Sequence, residues 1–163
     1  MTIQFKKGLQ KPSILTCIRK DGSTTWTSLR KEIEIHDFGH YAVETVLGFS
    51  KAFYGLLAEG YNIEDFELPR EQRPEALIPA NIPAEALQAE HIVNLLMVSL
   101  HQDDESLDFI TTLTTILEEN QIDFPAVLTS ETLTRIEQKL KELMHQWHIL
   151  QEGEILELSF SIS

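Results

Sequence analysis

Apolar and polar positions alternate near both ends of the chain and recur every three or four residues between them. Residues 14–19 and 24–29 are rich in β-branched side chains and flank Lys20-Asp21-Gly22-Ser23, which predicts a hairpin closed by an Asp-Gly turn. Residues 3–6 add a strand ahead of it. Toward the other end, Leu156, Leu158, Phe160 and Ile162 fall on one face at period two, so residues 154–162 read as a further strand. Strands from both ends are expected to share one small antiparallel sheet. The predicted class is α+β, with an N-terminal hairpin and a C-terminal strand packed against about five helices.

The middle of the chain carries the helical period. A first helix is predicted over residues 37–47, ended by Gly48, and a second follows Ser50 as N-cap and stops at Gly60. Pro69, Pro74 and Pro79 then deny regular structure to residues 61–82. That makes a surface connection longer than packing requires, of the kind that often carries function. Pro83 is placed to open a helix running to about residue 101. Its Leu87, Ile92, Val93, Leu95, Leu96, Met97, Val98 and Leu100 point in nearly every direction, which predicts a central helix buried on most sides. Two more helices are expected over residues 106–120 and 131–148, the latter capped by Ser130. Leu133, Ile136, Leu140, Leu143 and Trp147 give that last helix one apolar face. With no repeat, low-complexity tract or linker, residues 1–163 are expected to form a single domain.

Composition narrows the function classes. A chain of 163 residues with 42% hydrophobic content can bury a core without disulfides or a structural metal. Its lone cysteine, Cys17, has no internal partner, which fits a reducing compartment, and a cytoplasmic location is expected although a secreted chain would tolerate it too. No basic-then-apolar leader opens the chain, and the apolar stretch 84–100 is broken by Glu85, Gln88, Glu90, His91 and Asn94, so no membrane partner is expected. The net charge of −13 argues against nucleic acid as a partner. Residues 1–31 nevertheless carry +6, leaving −19 for the rest, which a basic sheet packed beside acidic helices would explain.

The one concentration of side-chain chemistry is His36-Asp37-Phe38-Gly39-His40. Residues four apart on a helix stand one turn above each other, so His36 and His40 can present two imidazoles to one point if the helix has begun by His36. Two neutral imidazoles suit zinc, iron, nickel or copper. The same spacing serves the His-Glu-x-x-His metalloproteases, but Asp37 is a methylene shorter than their glutamate base, so a protease is not the reading. Both histidines border the apolar arc of Val43 and Leu47, with Asp37 and Glu44 expected farther toward the polar side. On the long helix Glu90 and Asn94, also four apart, share a sector with apolar side chains and are expected to enter the interior. His36, His40 and Glu90 are therefore the candidate metal ligands, His91 a reserve, and Asp37 the candidate catalytic carboxylate, as ring orienter or proton acceptor. The competing readings are a metal-free polar cluster and a purely structural hydrogen-bond network. His101, His145 and His148 read as helix-end residues rather than ligands, and Cys17 as an unpartnered strand residue.

The segments His36-Asp37-Phe38-Gly39-His40-Tyr41-Ala42-Val43-Glu44, Leu47-Gly48-Phe49 and residues 52–60 resemble a family of small uncharacterised bacterial proteins with a His-Asp-Leu-x-His-Tyr-x-Val-Glu segment. The resemblance spans about thirty residues and implies no activity. The His-Asp-x-x-His core is also similar to that of a ubiquinone-biosynthesis accessory family, where a glutamate twelve residues after the second histidine is associated with zinc; Ala52 stands at that place here. The leading expectation is a metal-binding protein, a metal-dependent hydrolase or related enzyme acting on a small molecule, with a divalent transition metal, zinc first. The alternative is a metal-free module that binds another protein, with Phe49, Phe53, Tyr54, Tyr61 and Phe66 as candidate contact or pocket aromatics.

Overall fold

The computed structural model describes residues 1–30, 33–101 and 108–161. Strands β1 (Thr2–Lys6), β2 (Ser13–Ile18), β3 (Thr24–Leu29) and β4 (Ile155–Ser159) form one antiparallel sheet in the order β3-β2-β1-β4. The α+β expectation is met, and the last strand pairs with the first. Period two decides which face is buried. Ile3 opposes Cys17 and Leu158, and Phe5 opposes Leu15 and Leu156, so one face is a continuous apolar floor. The other face carries polar and exposed residues: Gln4 donates to Glu157 across the β1–β4 pair at 2.8 Å, and Trp26 on the edge strand stands in solvent. The predicted hairpin turn is closed by Gly22 N–H to Arg19 O (3.0 Å) and by the Asp21 carboxylate accepting from Ser23 N–H (2.9 Å).

Among the described residues five helices form the other layer: α1 (Ile33–Leu47), α2 (Phe53–Glu59), α3 (Ala84–His101), α4 (Phe109–Glu119) and α5 (Ser130–Ile149), with α1 and α5 meeting the floor at Phe5, α3 packed on α1 and α4 on α3. The central helix is α1 rather than α3, since ten of the fifteen residues of α1 are buried. Phe38 meets Phe5 of the sheet edge-on at 4.8 Å between ring centroids and Trp147 of α5 at 5.7 Å. Tyr41 OH donates to Ser159 O at 2.9 Å, tying the same helix to β4. The apolar residues of α3 do not wrap it fully. Val98 (45% exposed) and Leu100 (38%) face outward, as do Glu90 and Asn94, so the expectation of a helix buried on most sides is corrected.

Where α1 and α3 cross, Gly39 makes the approach possible. A Cβ there would stand 3.0 Å from Val93 Cγ1 and 3.3 Å from Met97 Cε. Just past β1, Lys7 Nζ donates to Trp147 O (2.6 Å) and His148 O (3.1 Å), capping the end of α5. The apolar face expected for α5 is buried through Ile136, Leu140 and Leu143. Its cap is Thr129, one residue earlier than expected, with its side chain accepting from Thr132 N–H at 3.2 Å. The expected start of the fourth helix at residue 106 and Ile162 of the last strand lie outside the described residues.

The segment between α2 and α3 is not featureless. Three short 3₁₀ turns, Ile63–Phe66, Arg70–Gln72 and Glu75–Leu77, carry it back over the α1–α3 face. Two predictions follow from the packing. Phe38→Ala opens a void between sheet, α1 and α5, and urea denaturation should show a loss of about 3–5 kcal/mol. Cys17 is fully buried and burial pushes its thiol up to about 12, so it stays protonated through pH 9. A thiol reagent at pH 8 should leave the native protein unlabelled and label it after unfolding.

Candidate metal centre

Helix α1 begins at Ile33, four residues earlier than expected, so His36 already lies inside it. His36 and His40 therefore stand one turn apart, with ring centroids 4.9 Å from each other. Their Nε2 atoms point the same way. His40 Nε2 lies 3.3 Å from Glu90 Oε2 and His36 Nε2 lies 4.0 Å from Glu90 Oε1, so both rings converge on the two oxygens of one carboxylate. Asn94, one turn farther along α3, donates to Glu90 Oε1 at 3.0 Å and holds that carboxylate in place. Glu90 itself is not interior as expected: its side chain is 51% exposed, lying across the outside of the α1–α3 crossing. The side chain still reaches both rings because Gly39 lets the helices approach.

The other ring nitrogens face carboxylates too. His36 Nδ1 is 4.0 Å from Asp37 Oδ1, and His40 Nδ1 is 3.6 Å from Glu44 Oε1. Asp37 and Glu44 were expected toward the polar side of α1, yet both are buried. The reason is α2, which folds back onto that flank. Glu44 Oε2 accepts from Tyr54 N–H (2.9 Å) and Gly55 N–H (3.1 Å), satisfying two N–H groups in the first turn of α2. Gly55 is required there, because a Cβ would stand 2.1 Å from Ser50 O. Ser50 is correspondingly not the cap of α2; Ala52 occupies that position, and the Glu85 carboxylate instead accepts from Ser50 N–H (2.7 Å) and Lys51 N–H (2.6 Å).

Glu44 is the member of this cluster that the sequence did not single out. Its signal was present: 36, 40 and 44 form one i, i+4 ladder along α1. Among the described residues, His40 Nδ1 and Glu44 Oε1 are the two buried side-chain polar atoms without a hydrogen-bond partner, although they face each other. Burial pulls the His40 imidazole down, but the Glu44 and Glu90 carboxylates outweigh it and hold the ring up at about 9. His40 in turn keeps Glu90 down at about 2 against the effect of burial. Burial pushes the carboxyls of Asp37 and Glu44 above the usual carboxylate range.

One ligand atom from each of His36, His40 and Glu90 lies within 4.8 Å of the others, so these three could hold a metal ion. Donors around a tetrahedral zinc, each about 2.0–2.1 Å from the ion, stand about 3.4 Å apart. The His40–Glu90 separation already fits that spacing, whereas His36 Nε2 meets the other oxygen of Glu90 at 4.0 Å, and with separations of up to 4.8 Å the trio must contract by as much as about 1.4 Å to enclose an ion. His91 is partly buried and stands outside the cluster, and His145 lies on the outward surface of α5. The side chain of His101 is outside the described residues.

The three side chains open into a cavity of about 340 Å³. Phe53 and Leu56 of α2, Phe66 and Leu77 of the connection, and Leu87 of α3 supply its apolar walls, with Asp37 and Arg73 among its polar groups. Phe53 packs 5.8 Å from the His40 ring and 5.3 Å from Phe66. The aromatics named as a possible contact surface thus divide: Phe53 and Phe66 are cavity wall, whereas Phe49 and Tyr54 are buried core. A wider depression of about 670 Å³ lies beside Arg19, but that guanidinium is engaged by Leu57 O, Tyr61 O and Asn62 Oδ1.

No helix is long and apolar enough to cross a membrane among the described residues. No protein-family model, curated protein or solved structure matches the chain. The site must therefore be read from its geometry. Glu44→Ala would leave two N–H groups of α2 and His40 Nδ1 without their carboxylate, and should destabilise the fold by at least about 1–3 kcal/mol in thermal or urea unfolding.

Proposed function

We propose that the protein binds one divalent transition metal through His36 Nε2, His40 Nε2 and the Glu90 carboxylate, and acts as a metal-dependent hydrolase on a small molecule held in the adjoining cavity. The observation that carries this reading is the common orientation of the two rings. Each turns Nε2 toward the same carboxylate and Nδ1 toward a different one. A histidine that binds metal through Nε2 characteristically gives its Nδ1–H to a carboxylate or carbonyl, which fixes the tautomer and raises the basicity of the free nitrogen. Glu44 is the carboxylate placed for that role beside His40, at 3.6 Å, and Asp37 the one beside His36, at 4.0 Å.

Two imidazoles and a carboxylate form a donor set used by catalytic zinc, with positions left over for water or substrate. Zinc is the first choice on that ground. When bound, the ion supplies Lewis-acid activation of water or of a carbonyl or phosphoryl oxygen. The chain's own residues do the rest. Asp37 lines the cavity next to His36, and its burial makes the carboxylate more basic than one in water, which suits it to accept a proton from an attacking water. Phe53, Phe66 and Leu77 keep bulk water from the reacting group.

One observation favours the opposing class, a metal-free module in which the cluster only locks helices. His40 as an imidazolium attracts the carboxylates of both Glu44 and Glu90 and ties them together with no ion. Elemental analysis of protein prepared without a histidine tag separates the two. Metal binding predicts close to one ion per chain, lost in His36→Ala and in His40→Ala while the circular dichroism spectrum is kept. Absence of metal after reconstitution with zinc, iron, nickel and manganese would reject the reading and leave the metal-free module.

A further inference from the structure

Among the described residues Arg73 is a cation with no ion-pair partner. It lies in the connection between α2 and α3, partly buried, and lines the same cavity as His36, His40 and Glu90. Its Nε donates to Leu68 O at 2.6 Å, a contact five residues away that fixes the plane of the guanidinium. Among the described residues no carboxylate forms a salt bridge with it. That is notable in a chain with twice as many acidic as basic side chains, 26 against 13. A guanidinium offers its two terminal nitrogens as a fork that matches a carboxylate in two parallel hydrogen bonds. Most of the remaining lining of the cavity is apolar, including Phe53, Phe66, Leu77, Ile82 and Leu87. At about 340 Å³ the cavity is at the small end of the range for small-molecule sites, about 300–1,000 Å³.

We infer that the substrate is a small organic acid with an apolar body, its carboxylate gripped by Arg73 while its reacting group is presented to His36, His40 and Glu90. The inference rests on the proposed function for the second half of that sentence only. The clamp itself needs no metal. Arg73 stands in the connection, so the same residue that selects the anion also holds the proline-rich segment across the cavity when the anion is bound. In this account the connection is long because it must carry a cation from the far end of α2 back over the α1–α3 face.

The test is calorimetric titration of the full chain with 4-phenylbutyrate, shorter apolar carboxylates and the uncharged 4-phenylbutyramide. The clamp predicts saturable carboxylate binding, about tenfold or more tighter than the amide. Arg73→Gln should remove that advantage, leaving the amide's own weak binding unchanged, which shows that the connection still folds; Arg73→Lys should restore part of it. Repeating the titration on metal-free His36→Ala protein separates the two ideas: an Arg73-dependent preference that survives there upholds the clamp whether or not metal is bound. Equal binding of acid and amide, no saturable binding of any carboxylate, or a preference that survives Arg73→Gln but vanishes in His36→Ala would overturn the clamp without touching the metal stoichiometry.

Discussion

An imidazole held at 6% exposure inside a helical layer must have both ring nitrogens provided for, and the arrangement around His40 is organised by that requirement. Glu90, from α3, meets Nε2 at 3.3 Å, while Glu44, one turn along α1, faces Nδ1 at 3.6 Å and offsets its burial by charge rather than by a hydrogen bond. Each carboxylate is itself held by other groups. Glu44 accepts from the N–H groups of Tyr54 and Gly55 and so binds the start of α2 to the middle of α1. Glu90 is steadied by Asn94, and reaches α1 because Gly39 allows the helices to close on each other. Three helices are thereby oriented by one ring.

Much of this was legible in the sequence where the signal is periodic and local. The strands, the Asp-Gly hairpin, the buried stripe of α5 and the stacking of His36 on His40 all follow from spacings of two, three and four residues. Glu90 was correctly picked as the group that meets the histidines, but for the wrong reason. Its neighbours suggested an interior helix, whereas α3 keeps a solvent-facing stripe of Glu90, Asn94 and Val98, and the carboxylate reaches inward from its edge. Asp37 and Glu44 were placed on the polar side because a helical wheel has no knowledge of what packs against it. Only the fold of α2 over that flank, which depends on the close turn at Gly55, buries them. The i, i+4 ladder of 36, 40 and 44 marks their alignment, but nothing at helical spacing marks their burial.

The connection between α2 and α3 shows the same limit from the other side. Pro69, Pro74 and Pro79 announced irregular structure but not its purpose. The prolines punctuate three short turns that bring Phe66, Arg73 and Leu77 over the open side of the histidine cluster. A wall built from a proline-stiffened segment loses less conformational entropy on ordering than a glycine-rich one.

In the proposed centre two imidazoles and one carboxylate share an ion through Nε2, Nε2 and a carboxylate oxygen. Anomalous diffraction at the zinc absorption edge, from crystals grown with zinc, tests that arrangement atom by atom. A single strong peak about 2.0–2.2 Å from His36 Nε2, His40 Nε2 and an oxygen of Glu90 is the predicted result. A well-ordered cluster with no peak there, with His40 Nε2 still turned onto Glu90 and any zinc bound elsewhere on the surface, would contradict it.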